Sequence, residues 1–179
     1  YLLKLYYARG QYKTALYGFK NLLIELTNKN LEPRCRLYIA RIYNKTGQRS
    51  TAVQAYVDYA NRYPRRRIAP EAVWKAGWIS EQLKDKDGAI NLYRQVRSKW
   101  PRSEFARDAF FREGFNLYLQ GRYEEADQVF NTIRFKKWPD FDIQRAQYWA
   151  SLCRDQKGDS VSAKRLRVEL AKNLWDGYY

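Results

Sequence analysis

Three pairs of carboxylates stand close together in the sequence: Asp85 with Asp87, Glu124 with Glu125, and Asp140 with Asp142. Paired carboxylates can divide the roles of general acid and general base. Each pair here falls at a turn or at the start of a helix-like run, where negative charge suits the positive end of the helix dipole. Structural use therefore explains them. Histidine is absent, which removes Ser-His-Asp and Cys-His catalysis and the usual zinc sites. No carboxylates have metal-ligand spacing, and no Gly-rich loop could cradle phosphate. Nothing near Cys35 or Cys153 marks a nucleophile. No catalytic residue, metal or cofactor is expected.

The residues suited to binding are more numerous. Leu37, Trp74, Phe111 and Tyr148 recur at equal spacing, and four residues after each stand Arg41, Trp78, Phe115 and Leu152. With Lys75, Arg112 and Trp149 beside them, Trp74, Trp78, Phe111, Phe115 and Tyr148 form the candidate binding set. The set could line a groove that stacks on sugar rings or holds a peptide. The competing reading is plain core between neighbouring helices. A hybrid is open too, because Trp and Tyr can bury the ring body and expose an edge. Lys+Arg number 34 against 19 Asp+Glu, a net charge of +15. Such a surface favours an anionic partner, a cell-wall polymer among them. The basic residues Arg65-Arg66-Arg67, Lys136-Lys137 and Lys164-Arg165-Arg167 are dispersed, and no nucleic-acid motif appears. Nucleic acid is the least favoured partner.

The elements that must position these side chains repeat every 37 residues. Ala15, Ala52, Ala89, Ala126 and Ala163 mark the period. Four residues after each Ala come Phe19, Tyr56, Tyr93, Phe130 and Arg167. Gly10, Gly47, Gly121 and Gly158 stand five before it; the third unit has Lys84 there and is expected to turn on Asp85, Asp87 and Gly88. Ala and its +4 and +7 neighbours share one helical face. Each unit thus reads as two helices, with Ala keeping them close, Gly ending the first, and Pro64 or Pro101 following the second. No apolar run approaches the roughly 20 residues needed to span a bilayer. The apolar share of 45% suits a folded core and excludes a disordered tail.

This pattern resembles the tetratricopeptide repeat, a helix-turn-helix unit of about 34 residues. The resemblance implies an all-α fold: a right-handed superhelix of about five units at approximately 1–30, 31–66, 67–102, 103–139 and 140–179. The three extra residues are expected between the second helix and the next first helix. Residues 1–179 read as one solenoid segment, and the missing half of the first helix suggests excision from a longer protein. Cys35 and Cys153 fall three units apart, beyond the roughly 7 Å reach of a disulfide, so both should be buried thiols.

The segment Gln144-Arg145-Ala146-Gln147-Tyr148-Trp149-Ala150, then Lys157-Gly158-Asp159, Ala163, Leu170-Ala171 and Tyr178-Tyr179, is similar to soluble lytic murein transglycosylases just before their catalytic domain. The run Arg112 to Tyr118, with Gly121 to Ala126 and Phe130, also resembles the superhelical domain of that family. The resemblance implies a non-catalytic scaffold in the periplasm or cell envelope that holds or orients anionic murein. The family's Glu-Ser and Gly-Leu-Met-Gln motifs are absent, so no catalytic residue is carried over. Peptidoglycan is the implied partner. The alternatives are a protein or peptide in the groove and, last, RNA.

Overall fold

Alanine at one helical register lets two helices approach closely, and that register is buried throughout. Ala15, Ala52, Ala89, Ala126 and Ala163 have no exposed surface. The computed structural model describes residues 1–25, 29–134 and 137–176. Lys136 and the Tyr178-Tyr179 pair lie outside the described residues. Among the described residues there are ten α-helices and no strand: α1 (Leu2–Ala8), α2 (Tyr12–Glu25), α3 (Glu32–Lys45), α4 (Arg49–Arg62), α5 (Ala69–Gln82), α6 (Lys86–Lys99), α7 (Glu104–Leu119), α8 (Tyr123–Arg134), α9 (Asp140–Gln156) and α10 (Ser160–Asp176). None is long and apolar enough to cross a membrane. The all-α class implied by the spacing is the observed one.

The turn inside each unit keeps the period strictly. First helices end at Ala8, Lys45, Gln82, Leu119 and Gln156, and second helices begin four residues later. The same pair of hydrogen bonds closes every turn, as in Gly47 N–H to the Asn44 carbonyl (3.2 Å) and Gln48 N–H to the Tyr43 carbonyl (2.9 Å). This closure needs one left-handed residue, and Gly10, Gly47, Gly121 and Gly158 supply it with φ between 74° and 81°. The third unit departs from the expectation. Lys84 itself takes the left-handed conformation, φ 62°. Gly88 lies inside α6, where its N–H donates to Asp85 Oδ1 at 2.9 Å. The hydrogen-bond pair dictates the conformation at that position whatever residue stands there.

The extra residues are not placed uniformly. α4 and α5 are joined by residues 63–68, as expected, but α6 and α7 only by residues 100–103. Pro33 and Pro70 occupy the same register near the start of α3 and α5. Proline is tolerated in the first turn and not further in, so those helices start just before it. Arg107 and Gln144 stand at that register in α7 and α9, and both helices extend further toward their N-termini.

The chain divides into two compact units, Tyr1–Leu92 and Tyr93–Tyr179, with the boundary inside α6. In the first, each helix from α1 to α5 packs on the next. Its core includes Ala15, Phe19, Cys35, Ile39 and Ile42, and the Phe19 ring stacks on Tyr38 at 5.0 Å. In the second, α7, α8, α9 and α10 pack in sequence, and α7 also touches α9. Phe130 is fully buried there. Ion pairs tie α9 to α8: Arg154 Nε lies 3.2 Å from Asp127 Oδ2, and Lys157 Nζ lies 2.5 Å from Glu124 Oε2. Arg167 stands where the other units have an aromatic, and it pairs with Asp155. Cys35 and Cys153 are free and buried.

Candidate functional site

Residues four apart on a helix share a face, and two such pairs in the first unit make the walls of a pocket. Arg41 and Lys45 come from α3, Trp74 and Trp78 from α5. With Tyr7 of α1, Asn44, Tyr56 of α4 and Lys75 they enclose about 260 Å³. Tyr56 is the floor, 2% exposed, and Trp78 is the open wall, 40% exposed. Burial pushes the Tyr56 hydroxyl up to about 12, and the Arg41 charge opposes the shift. Burial also raises the Tyr7 hydroxyl, again opposed by Arg41. Arg41 therefore projects its field onto both phenols. Its guanidinium lies 5.6 Å from the Tyr38 ring centroid.

The cations of this pocket differ in how they are answered. Lys75 Nζ lies 2.5 Å from Glu71 Oε1, one turn back on the same helix. Among the described residues no carboxylate pairs with Arg41 or Lys45. Two positive charges thus border an aromatic hollow without a paired carboxylate among the described residues.

The second unit treats its aromatic set differently. Trp149 is half-buried and ringed by Phe115 (4.9 Å), Tyr118 (5.2 Å), Phe130 (6.3 Å) and Phe111 (6.4 Å). Phe111 and Phe115 stack at 6.1 Å. The Arg145 guanidinium covers Phe111 at 3.7 Å. Arg112 donates from Nε to Asp108 Oδ2 at 2.7 Å. Tyr148 stays 47% exposed. The eight candidates therefore fall into two groups. Trp74, Lys75 and Trp78 line an open pocket, while Phe111, Phe115 and Trp149 pack together, with Arg112 and Tyr148 at their edge.

The sequence reading did not place Tyr7, Arg41, Asn44, Lys45 and Tyr56 in the site. A signal existed for two of them. Arg41 holds the register of Trp78 one period earlier, and Lys45 lies one turn beyond it. Tyr56 looked like core, and it is core with one edge reaching the hollow.

The rest of the molecule offers less. The carboxylate pairs serve helix starts, as expected: Glu124, Glu125, Asp140 and Asp142 lie in first turns. Arg122 holds Glu125 at 2.7 Å and keeps its carboxyl below the ordinary range. Among the described residues, no group of three or more His, Cys, Asp or Glu could hold a metal ion. Burial, with Asp127 nearby, pushes the Cys153 thiol up to about 12. A larger depression of about 510 Å³ lies on α10 between Val161 and Val168 and has no aromatic wall.

A family model described as the tetratricopeptide repeat matches residues 34–65, 71–103 and 108–134, half of the chain. Among solved structures, the crystal structure of MamA superposes with a TM-score of 0.65 at 18% identity, covering 100% of this chain and 98% of that one. A tetratricopeptide repeat protein from Parabacteroides merdae ATCC 43184 gives a TM-score of 0.65 at 15% identity, covering 96% of this chain and 64% of that one. At such identities the likeness concerns the fold alone. No curated protein matches the chain.

Proposed function

The chain belongs to the tetratricopeptide-repeat family, and on that premise we propose that it is a non-catalytic scaffold that holds a protein partner. The observation that carries this reading is the open pocket of the first unit. Its walls are Trp, Tyr and Arg, the residue types that dominate binding energy at protein interfaces, and among the described residues no carboxylate pairs with its Arg41 or Lys45. A photoreactive benzoylphenylalanine at position 78 tests it, with one at exposed position 54 on α4 as control. Crosslinking to a polypeptide from position 78 and not from 54 is the expected result. Equal crosslinking from both positions would remove the reading.

A second reading makes the chain the helical region of a murein lytic transglycosylase, in the periplasm or cell envelope. It rests on the similarity of residues 144–150 to that family and on the net charge of +15, which suits the free carboxylates of peptidoglycan. Pelleting with purified sacculi at low salt, weakening as salt rises, is its expected outcome. A chain that stays in the supernatant at low salt would exclude it.

A further inference from the structure

Resting on the interaction reading, we infer that the pocket of the first unit takes one aromatic side chain of a bound polypeptide together with a neighbouring Asp or Glu. The size sets the first part. A volume of about 260 Å³ lies below the roughly 300–1,000 Å³ of pockets for whole small-molecule ligands, and it suits a single anchor side chain. The walls set its type. Tyr7, Trp74 and Trp78 present ring faces and edges, which gain most from another ring in offset or edge-on contact.

The charges set the second part. Arg41 and Lys45 stand on the same face of α3 at the rim, and among the described residues no carboxylate pairs with either. Charge complementarity calls for an anion beside the anchor. Arg41 can bind a carboxylate through two parallel hydrogen bonds, and Lys45 adds a point charge. The same charges repel a cationic anchor, although aromatic walls alone would welcome one.

A glycan chain fits less well. It needs successive ring platforms, and this hollow has room for one ring. In the second unit the Phe111 face is already covered by Arg145, and Trp149 is packed edge-on against Phe115. The acid belongs to an internal side-chain pair, because both the anchor and its charge are read inside one pocket.

A phage library of random 12-residue peptides tests this. The peptides are fused at their C-termini, so no free terminal carboxylate is offered. They are selected on the full immobilised chain, and enriched sequences are then made as amidated peptides for fluorescence anisotropy. The expected peptides carry Phe, Tyr or Trp within two residues of Asp or Glu. Their affinity should fall about tenfold, or 1.4 kcal/mol, on replacing the acid by its amide. A similar fall should follow Trp78→Ala, Arg41→Gln or Lys45→Gln. Lys45→Glu, at an exposed position, takes the Arg41 and Lys45 pair from two positive charges to none and should abolish the preference for an acid, with only a small fall in melting temperature from the lost cation in the last turn of α3. Peptides that need Trp78 but carry no acid, or ignore the charge variants, would overturn the inference and leave the scaffold reading standing. Selection of no Trp78-dependent peptide, or displacement of the peptides by soluble murein fragments, would overturn the scaffold reading itself.

Discussion

The Nε–H of Arg94, on α6, donates to the carboxylate of Glu113, on α7, at 2.7 Å. Glu113 has no exposed surface, while Arg94 retains 38%. Arg97 reaches the same carboxylate with Nε 2.6 Å from Oε2, and its guanidinium lies over the Phe110 ring at 4.6 Å. A buried charge is tolerated only when paired. Removing both arginines strands it, so Arg94→Ala with Arg97→Ala should cost about 3–5 kcal/mol. Glu113→Gln keeps one acceptor oxygen, sets an amide N–H against an arginine and removes the buried charge, and should cost less, about 1–3 kcal/mol. Urea unfolding of the two variants and the parent measures this. A double variant within 1 kcal/mol of the parent (about the size of one net hydrogen bond) would mean that water reaches the carboxylate.

Among the described residues, Lys84 occupies the one turn where the left-handed residue is not glycine, at φ 62°. A side chain there costs about 1–2 kcal/mol relative to the right-handed conformation. Lys84→Gly should therefore stabilise the chain, by about 1 kcal/mol after glycine's greater freedom in the unfolded chain is subtracted. Gly47→Ala, at φ 77°, should destabilise it by a similar amount. Paired thermal melts decide the matter, and a lower melting temperature for Lys84→Gly would show that Lys84 makes a contact worth more than its strain.

Much of this was legible because the constraint is periodic. Alanine can recur every 37 residues only where something always packs against it, and glycine only where the backbone always turns. The third turn misled because Asp85, Asp87 and Gly88 are turn-forming types. Which residue takes the positive φ is decided by the closing hydrogen bonds, not by composition. The pocket was half legible. Trp74 and Trp78 stood out as a spaced pair, but the cations that face them come from another unit of the repeat. Glu113 was missed, although it stands at the register of Ile39, Ala76 and Ala150, all buried. An acid at a core register signals a buried partner, and the neighbouring Arg94 and Arg97 were the candidates. The aromatic rows divided because Trp149 packs among Phe115, Tyr118 and Phe130, while Trp78 stays 40% exposed at the mouth of the pocket.

Burial favours the neutral forms of Tyr56 and Cys153, each pushed up to about 12. A raised value means stability that is complete below the unfolded value and lost as pH rises toward the folded one. The unfolded values are 9.0 for Cys and 10.0 for Tyr. Denaturant midpoints should thus hold up to about pH 9 and fall between there and about pH 12. The same burial keeps the Cys153 thiolate scarce, so dithionitrobenzoate at pH 8 should react with it only after denaturant is added. Stoichiometric labelling of Cys153 in the native chain would contradict its burial.

Two tryptophans give opposite expectations from one substitution. Trp149 is half-buried against Phe115, Tyr118 and Phe130, so Trp149→Ala removes most of a packed ring and should cost about 3 kcal/mol, the low end for loss of a core aromatic. Trp78 is 40% exposed at the mouth of the pocket. Trp78→Ala loses part of one wall and should cost about 1 kcal/mol, as most surface-edge changes do. If the pocket is where a partner binds, the smaller loss of stability accompanies the larger loss of binding. Melting temperatures and peptide affinities for both variants check the crossing. Equal destabilisation by the two would place Trp78 in the core with Trp149 and remove it from the contact surface.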